Sequence, residues 1–412
     1  MRVLVYAHQL EIGGTQTNAI ELAAALRDLH GCEVALFATP GPMLSLVNSM
    51  GLRYLPAPAP GFYPSPARIQ ALRAAARELR PDVIHVWDWW QCLDAYYGVH
   101  LPMGLPLVVT DMNMTLTRVL PKRLPTTFGV PCLVEQAKAT GRSCVDLLLP
   151  PVDTNANAPD EKLGREFRAL HGIGQEELLL VTVSRLSYNM KSESIARTIE
   201  AVRQLGTRHP IRFVLAGEGQ ARAAIEKLAG DVNAELGRPA VVLTGPLMDP
   251  RSAYAAADVV IGMGGSGLRG MAFAKPVIVV GEGAFSNVLG PATAQWFLRN
   301  GIYGQRSDTA QSRPLAGLIK ELVSSPELRS YLGGFARNFV VTNFSLEVLA
   351  ERLIAFMKRA VAAEGPGAAT WLDGIRTAAV YARERRFLTA IRMEPPGQNA
   401  PPSAVDALRS KV

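Results

Sequence analysis

Short apolar runs alternate with amphipathic stretches along this chain, and the alternation breaks at Pro150-Pro151 and begins again near residue 178. Apolar runs of strand length joined by helices make a parallel sheet with helices on both faces. The first series predicts strands over 3–7, 33–38, 52–55, 83–86, 106–109, 131–134 and 145–149, with helices over 15–29, 43–50 and 67–79. The Pro- and Gly-rich segment 57–66 reads as a loop. The second series predicts strands over 178–183, 213–216, 241–244, 259–261 and 277–280, with helices over 193–204, 221–236 and 268–274. From 345 the pattern is helical. The expected organisation is α/β: a Rossmann-like domain over 1–150, a linker over 151–177, a second Rossmann-like domain over 178–344, helices over 345–393 that return to the first domain, and a flexible tail over 394–412. Two doubly wound sheets of this kind place a ligand at the carboxyl ends of their strands, in a cleft that both domains face.

At 412 residues the chain is long enough for two or three domains. Its 43 Lys and Arg against 36 Asp and Glu leave a net charge of +7 spread along the chain. Without dense basic blocks this predicts an anionic small molecule as partner, not a nucleic acid. No apolar run reaches a membrane-spanning length, and residues 1–7 read as a strand, not a leader. Cys32, Cys92, Cys132 and Cys144 form no CxxC pair and no zinc spacing. A cytoplasmic protein with reduced thiols, no structural metal and no cofactor is expected. The sequence leaves a homodimer open.

Three glycine-bearing or cationic turns follow predicted strands. The first, His8 to Thr15, carries Gly13-Gly14 before a helix, which suits either turn geometry or phosphate contact. It lacks the GxGxxG spacing of a nicotinamide site. The second carries Arg185 and Lys191 after a strand and before a helix, either a surface pair or a clamp on a departing diphosphate. The third, 261–272, holds Gly262, Gly264, Gly265, Gly267 and Gly270 between strand and helix, a density that favours a backbone cradle for phosphate oxygens.

Candidate acceptor residues lie in the first half. Trp87-Asp88-Trp89-Trp90 follows a predicted strand, and aromatic faces beside a carboxylate suit a sugar, an aminocyclitol or an ammonium group. His8 and Asp111, both at strand ends, are candidates to orient the nucleophile or act as base. His85, inside a strand, reads as structural.

In order and spacing, these pieces resemble the family 4 glycosyltransferases, retaining enzymes of the GT-B fold that use nucleotide-sugar donors. The resemblance rests on Gly13-Gly14 with its helix, 149–154, Ser184-Arg185-Leu186 with Lys191, 215–219, Leu243-Thr244-Gly245, 254–258, 270–277 and Phe344-Ser345. It implies that Gly14 lies under the donor phosphate, that Arg185 and Lys191 grip the diphosphate, and that the backbone of Gly264, Gly265, Ser266, Gly267 and Leu268, with Gly217, completes the donor site. It also implies front-face transfer without a metal. Two departures stand out. The family's pair of glutamates falls on Ile261 and Arg269, and neither can accept a sugar hydroxyl. Glu282 is the candidate substitute. The expectation is a transferase acting on a nucleotide sugar and a small polar acceptor, with a catalytically impaired accessory protein as the alternative.

Overall fold

The computed structural model describes residues 1–392 apart from 189, 190 and 364, with backbone alone for residue 8 and 386–392. The tail expected over 394–412 lies outside the described residues. The chain divides into two compact units, Val152–Asn343 and, around it, Met1–Pro151 with the helices that follow Phe344.

The first unit holds a seven-stranded sheet in the order β3-β2-β1-β4-β5-β6-β7. Its strands are β1 (Arg2–Gln9), β2 (Glu33–Thr39), β3 (Arg53–Pro56), β4 (Val83–Trp87), β5 (Leu107–Asp111), β6 (Thr126–Phe128) and β7 (Val145–Leu147), all paired in parallel. Chain order reverses between β1 and β4, the position where open α/β sheets take ligands. One expected strand was wrong. Pro131 opens the helix Pro131–Ala139, because its missing N–H costs nothing at the first helical position. The strand is instead the Thr-Thr-Phe of β6, whose Thr127 hydroxyl bonds Thr110 at 2.8 Å. His85 Nε2 lies 2.7 Å from that same Thr110 hydroxyl. Burial pushes the imidazole down to about 3, so it stays neutral in the sheet.

The second unit holds β8 (Leu178–Val183), β9 (Ile211–Ala216), β10 (Val241–Gly245), β11 (Val259–Gly262), β12 (Val277–Val280) and β13 (Ser286–Val288). Their order is β10-β9-β8-β11-β12-β13, parallel except that β13 runs against β12. Here the reversal lies between β8 and β11. Residues expected as a linker belong to this unit. The helix Glu161–Leu170 packs on Arg251–Ala256, Gly164 sits against the Ala255 backbone, and Arg168 pairs with Asp258 at 2.7 Å.

The helix Leu346–Ala362 packs on Gly14–His30 in the first unit. The last helix, Ala368–Arg392, is held there by hydroxyls. Tyr96 donates to the Thr370 carbonyl at 2.8 Å, Tyr97 to Gly374 at 2.7 Å, and Tyr381 to Tyr63 at 2.6 Å. No described helix is long and apolar enough to cross a membrane.

Candidate functional site

In the second unit the strand β8 runs straight into the segment carrying Arg185, and the helix Ser192–Leu205 starts directly after Lys191. Leu186 anchors this turn: it is fully buried, its N–H donates to the Glu218 carbonyl, and its own carbonyl accepts from Ala221, each at 2.8 Å. Gly217 makes the approach feasible. Its φ is +155°, and a Cβ there would overlap the Ser184 carbonyl oxygen. Its N–H is spent on Gly245 at 2.9 Å. Gly217 therefore seats the Arg185 turn, with its own amide engaged in the sheet edge. Gly217→Ala should cost about 2 kcal/mol of stability, read by urea unfolding, because the new methyl meets backbone that cannot yield.

Arg185 is exposed. Lys191 lines a narrow cavity with Thr182, Ser184, Ser194, Thr198 and Ser266 at the reversal of strand order. Burial, and secondarily the charge of Arg185, pushes its ammonium down to about 8; no acid contributes in the opposite direction. A half-buried lysine on which, among the described residues, only another cation is seen to act is a site short of an anion.

Across the cavity, only Met263 and Gly264 separate β11 from the helix Gly265–Ala272. Gly264 adopts φ +54°, which glycine tolerates and other residues resist. Its N–H bonds the Ile302 carbonyl at 2.6 Å, and the Leu268 N–H bonds the Gly264 carbonyl at 3.0 Å. Two of the five amides expected in the cradle are thus consumed, and Leu268 itself is buried. Gly265, Ser266 and Gly267 form the first turn, where N–H groups have no partner within the helix. Ser266 Oγ accepts the Tyr254 hydroxyl at 3.2 Å. Ile261 lies inside β11, buried in the core, so the short turn leaves no loop for an acid there. Glu282, just past β12, already takes the Tyr303 hydroxyl. It keeps acceptor capacity beyond that bond.

In the first unit Gly13 is extended, with φ −170°, and caps the helix Gly14–His30. Thr17 spends both its N–H and its hydroxyl on the Gly13 carbonyl, at 3.0 Å each. Gly14 faces open space, where a Cβ would meet nothing. The residue expected as a base, His8, lies in β1, and its side chain is outside the described residues.

The parallel register pairs Trp87 of β4 with Thr110 of β5, so Asp88 and Asp111, one step further on, come side by side. Asp88 opens the helix Asp88–Ala95 with φ +63°, an expensive conformation for aspartate. Its Oδ1 accepts the Met112 N–H at 3.2 Å. Asp111 is fully buried; its Oδ1 accepts from Asn113 and its Oδ2 has no partner among the described residues. Burial, then the Asp88 charge, pushes it up to about 6. The tryptophans divide. Trp87 is wholly buried, unlike its two neighbours, and its indole N–H has no partner among the described residues. Trp89 and Trp90 are half-buried and stacked, with ring centroids 3.5 Å apart, and Trp90 also lies 5.2 Å from Tyr63. Tyr63, from the Pro-rich loop, is a neighbour of Trp90 that the sequence did not signal. Among the described residues no three of His, Cys, Asp and Glu gather as metal ligands.

Two family models match the chain: Glycosyltransferase Family 4 over residues 12–125 and Glycosyl transferases group 1 over residues 177–311. Together they take in more than half of it. The chain belongs to the family 4-like glycosyltransferases. No curated protein sequence matches it. Among solved structures, a glycosyltransferase from Rickettsia africae superposes with a TM-score of 0.68 at 15% identity, covering 88% of this chain and 98% of its own. HepE of Anabaena, solved with UDP-glucose, gives 0.67 at 15% identity over 87% of this chain and 100% of its own. At this identity the structures speak for the fold, which is GT-B. Ile261 and Arg269, where the resemblance implied glutamates, flank the Met263–Gly264 turn, one inside β11 and the other inside the helix Gly265–Ala272.

Proposed function

We propose that this glycosyltransferase takes its sugar from a nucleotide-sugar donor, bound by the second unit, and transfers it with retained configuration to a small polar acceptor held by the first. The observation that carries this reading is Lys191, a half-buried cation with no acidic group acting on it among the described residues, lining a cavity beside a helix first turn whose amides have no partner within the helix. A diphosphate supplies the missing charge. In the reaction the acceptor atom bonds to the anomeric carbon, the bond from that carbon to the β-phosphate oxygen breaks, and the acceptor proton passes to the departing phosphate. Lys191 and Arg185 neutralise the charge that builds there, a task that needs no metal. The UDP and UDP-glucose complexes of HepE support a donor of this class.

The half-buried Trp89 and Trp90 beside Asp88 and Asp111 support an acceptor that bears an amino group. Asp88→Asn should then raise the acceptor KM for amino acceptors and leave that for neutral sugars unchanged. The wider reading is tested by thermal shift against UDP, GDP, ADP and dTDP. A ligand at about one hundred times its Kd adds about 2.7 kcal/mol, so one of the four should raise Tm by several degrees. If all four leave Tm in place, the donor reading fails. An accessory protein that only binds nucleotide sugars would show the shift but release no nucleoside diphosphate on prolonged incubation with the donor.

A further inference from the structure

The last helix, Ala368–Arg392, turns an uncharged side to water. Its inward side holds Asp373, Gly374 and Thr377, all buried, and Tyr381, whose ring lies 6.4 Å from that of Trp89. Outward stand Trp371, Leu372 and Ile375, exposed by 49, 65 and 67%, followed by Ala378, Ala379 and Ala382, also exposed. The charges between 368 and 382 are Asp373 and Arg376, and they bond each other at 2.8 Å with the acid buried. A surface helix ordinarily has the opposite pattern, apolar toward the core and charged toward water. An exposed apolar face running for about three turns marks an interface.

Spacing, size and charge together select what covers it. Leu372, Ile375, Ala379 and Ala382 follow one another by three, four and three residues, the seam along which two helices interlock. Large side chains fill the first half of this seam and small ones the second. A second copy laid antiparallel would therefore set Leu372 on its Ala382 and Ile375 on its Ala379, large against small at each step. Cations resume beyond the seam at Arg383 and Arg385. Parallel pairing would put Arg383 beside its own counterpart, whereas antiparallel pairing separates the two by about 18 Å at 1.5 Å per residue. A lipid surface fits less well, because three alanines offer it little apolar area. Arg376 is also engaged away from it, with Asp373 and with the Leu120 carbonyl at 3.2 Å. We infer that the face from Trp371 to Ala382 is a homodimer interface, in which the last helices of two copies pair antiparallel about a two-fold axis level with residue 377. The inference is independent of the donor reading. One helix pair is a small contact, so the dimer should be a weak one.

Sedimentation equilibrium on the full chain, from about 1 to 100 µM, tests this, and the mass should rise from one chain toward two with a Kd of about 10 µM. Ile375→Arg should weaken association at least ten-fold and leave Tm in place, because the substituted side chain is exposed. Ile375→Arg combined with Ala379→Glu in the same chain should restore the dimer, since antiparallel pairing sets each arginine opposite a glutamate. If the combined variant stays monomeric, the antiparallel arrangement is wrong. A wild type that is monomeric throughout the range overturns the inference. So does a monomer that floats with vesicles of phosphatidylcholine and phosphatidylglycerol and loses flotation in Ile375→Arg, which would make the face a lipid anchor. A dimer that Ile375→Arg leaves intact would place the contact elsewhere and overturn it too.

Discussion

Lys191→Met should lower kcat/KM by about a hundred- to a thousand-fold and at the same time make the free protein more stable. The first effect follows from the loss of a charged donor aimed at a leaving diphosphate, worth about 3–4 kcal/mol where water is excluded. The second follows from linkage. The ammonium sits at about 8 in the folded chain against 10.5 for a free lysine, so the unfolded chain holds that proton more tightly. Below pH 8 the mismatch costs on the order of 2 kcal/mol after allowing for the water that reaches the side chain. It fades as pH rises from about 8 to 10.5, where stability should climb. Methionine keeps the stem and removes the mismatch. Diphosphate affinity in the wild type should fall as pH rises through about 8, because the charge is lost there. Lys191→Arg stays charged and should flatten that profile whatever it does to the affinity at pH 7. Calorimetry at pH 7 and pH 9 checks both, and a methionine variant with unchanged kcat/KM would remove Lys191 from the site.

The alternation that defines the fold was legible because parallel strands are buried on both faces. The run 178–183 is apolar apart from Thr182, and β8 is buried along most of its length. The same rule failed at Pro131-Cys132-Leu133-Val134, since a short apolar run does not tell strand from helix, and at β6, where hydroxyls bonded to each other replace apolar side chains. Residues 151–177 looked like a linker because what ties them down, Arg168 to Asp258, is ninety positions apart in sequence. Arg185 and Lys191 were readable from their place after a strand. Which amides remain unspent was not, because the bonds from Gly264 to Ile302 and from Gly217 to Gly245 are set by tertiary packing. Register, which sequence does not encode locally, is what brings Asp88 and Asp111 together and separates Trp87 from its two neighbours.

Replacing Arg68 with alanine should cost about 3–5 kcal/mol, the range for a buried ion pair that loses one member. Arg68 and Asp94 are both wholly buried, with Nη1 and Oδ2 4.0 Å apart. The guanidinium also donates to the Pro58 carbonyl at 2.9 Å, to the Tyr63 hydroxyl at 3.0 Å and to the Thr39 hydroxyl. Asp94 accepts from the Tyr6 hydroxyl at 2.8 Å and from the Ser65 N–H at 2.5 Å. This network ties the 57–66 loop to β1, β2 and the Trp89–Trp90 helix, so it holds Tyr63 against Trp90. Burial already pushes Asp94 above the ordinary carboxylate range despite these donors, and removing the arginine raises it further. The sign is then fixed: an acid whose folded pKa is raised loses stability as pH climbs from its unfolded value through the folded one. The deficit of Arg68→Ala should be larger at neutral pH and narrow as pH falls into the range where Asp94 takes up its proton, since a protonated Asp94 needs no counter-ion. In Arg68→Met with Asp94→Leu the combined loss should fall short of the sum of the single losses, because no stranded charge remains. Urea unfolding followed by tryptophan fluorescence measures all of this. A loss under 1 kcal/mol for Arg68→Ala, independent of pH, would mean that water or a rearranged loop satisfies Asp94 and that the network does not fix the aromatic edge of the first unit.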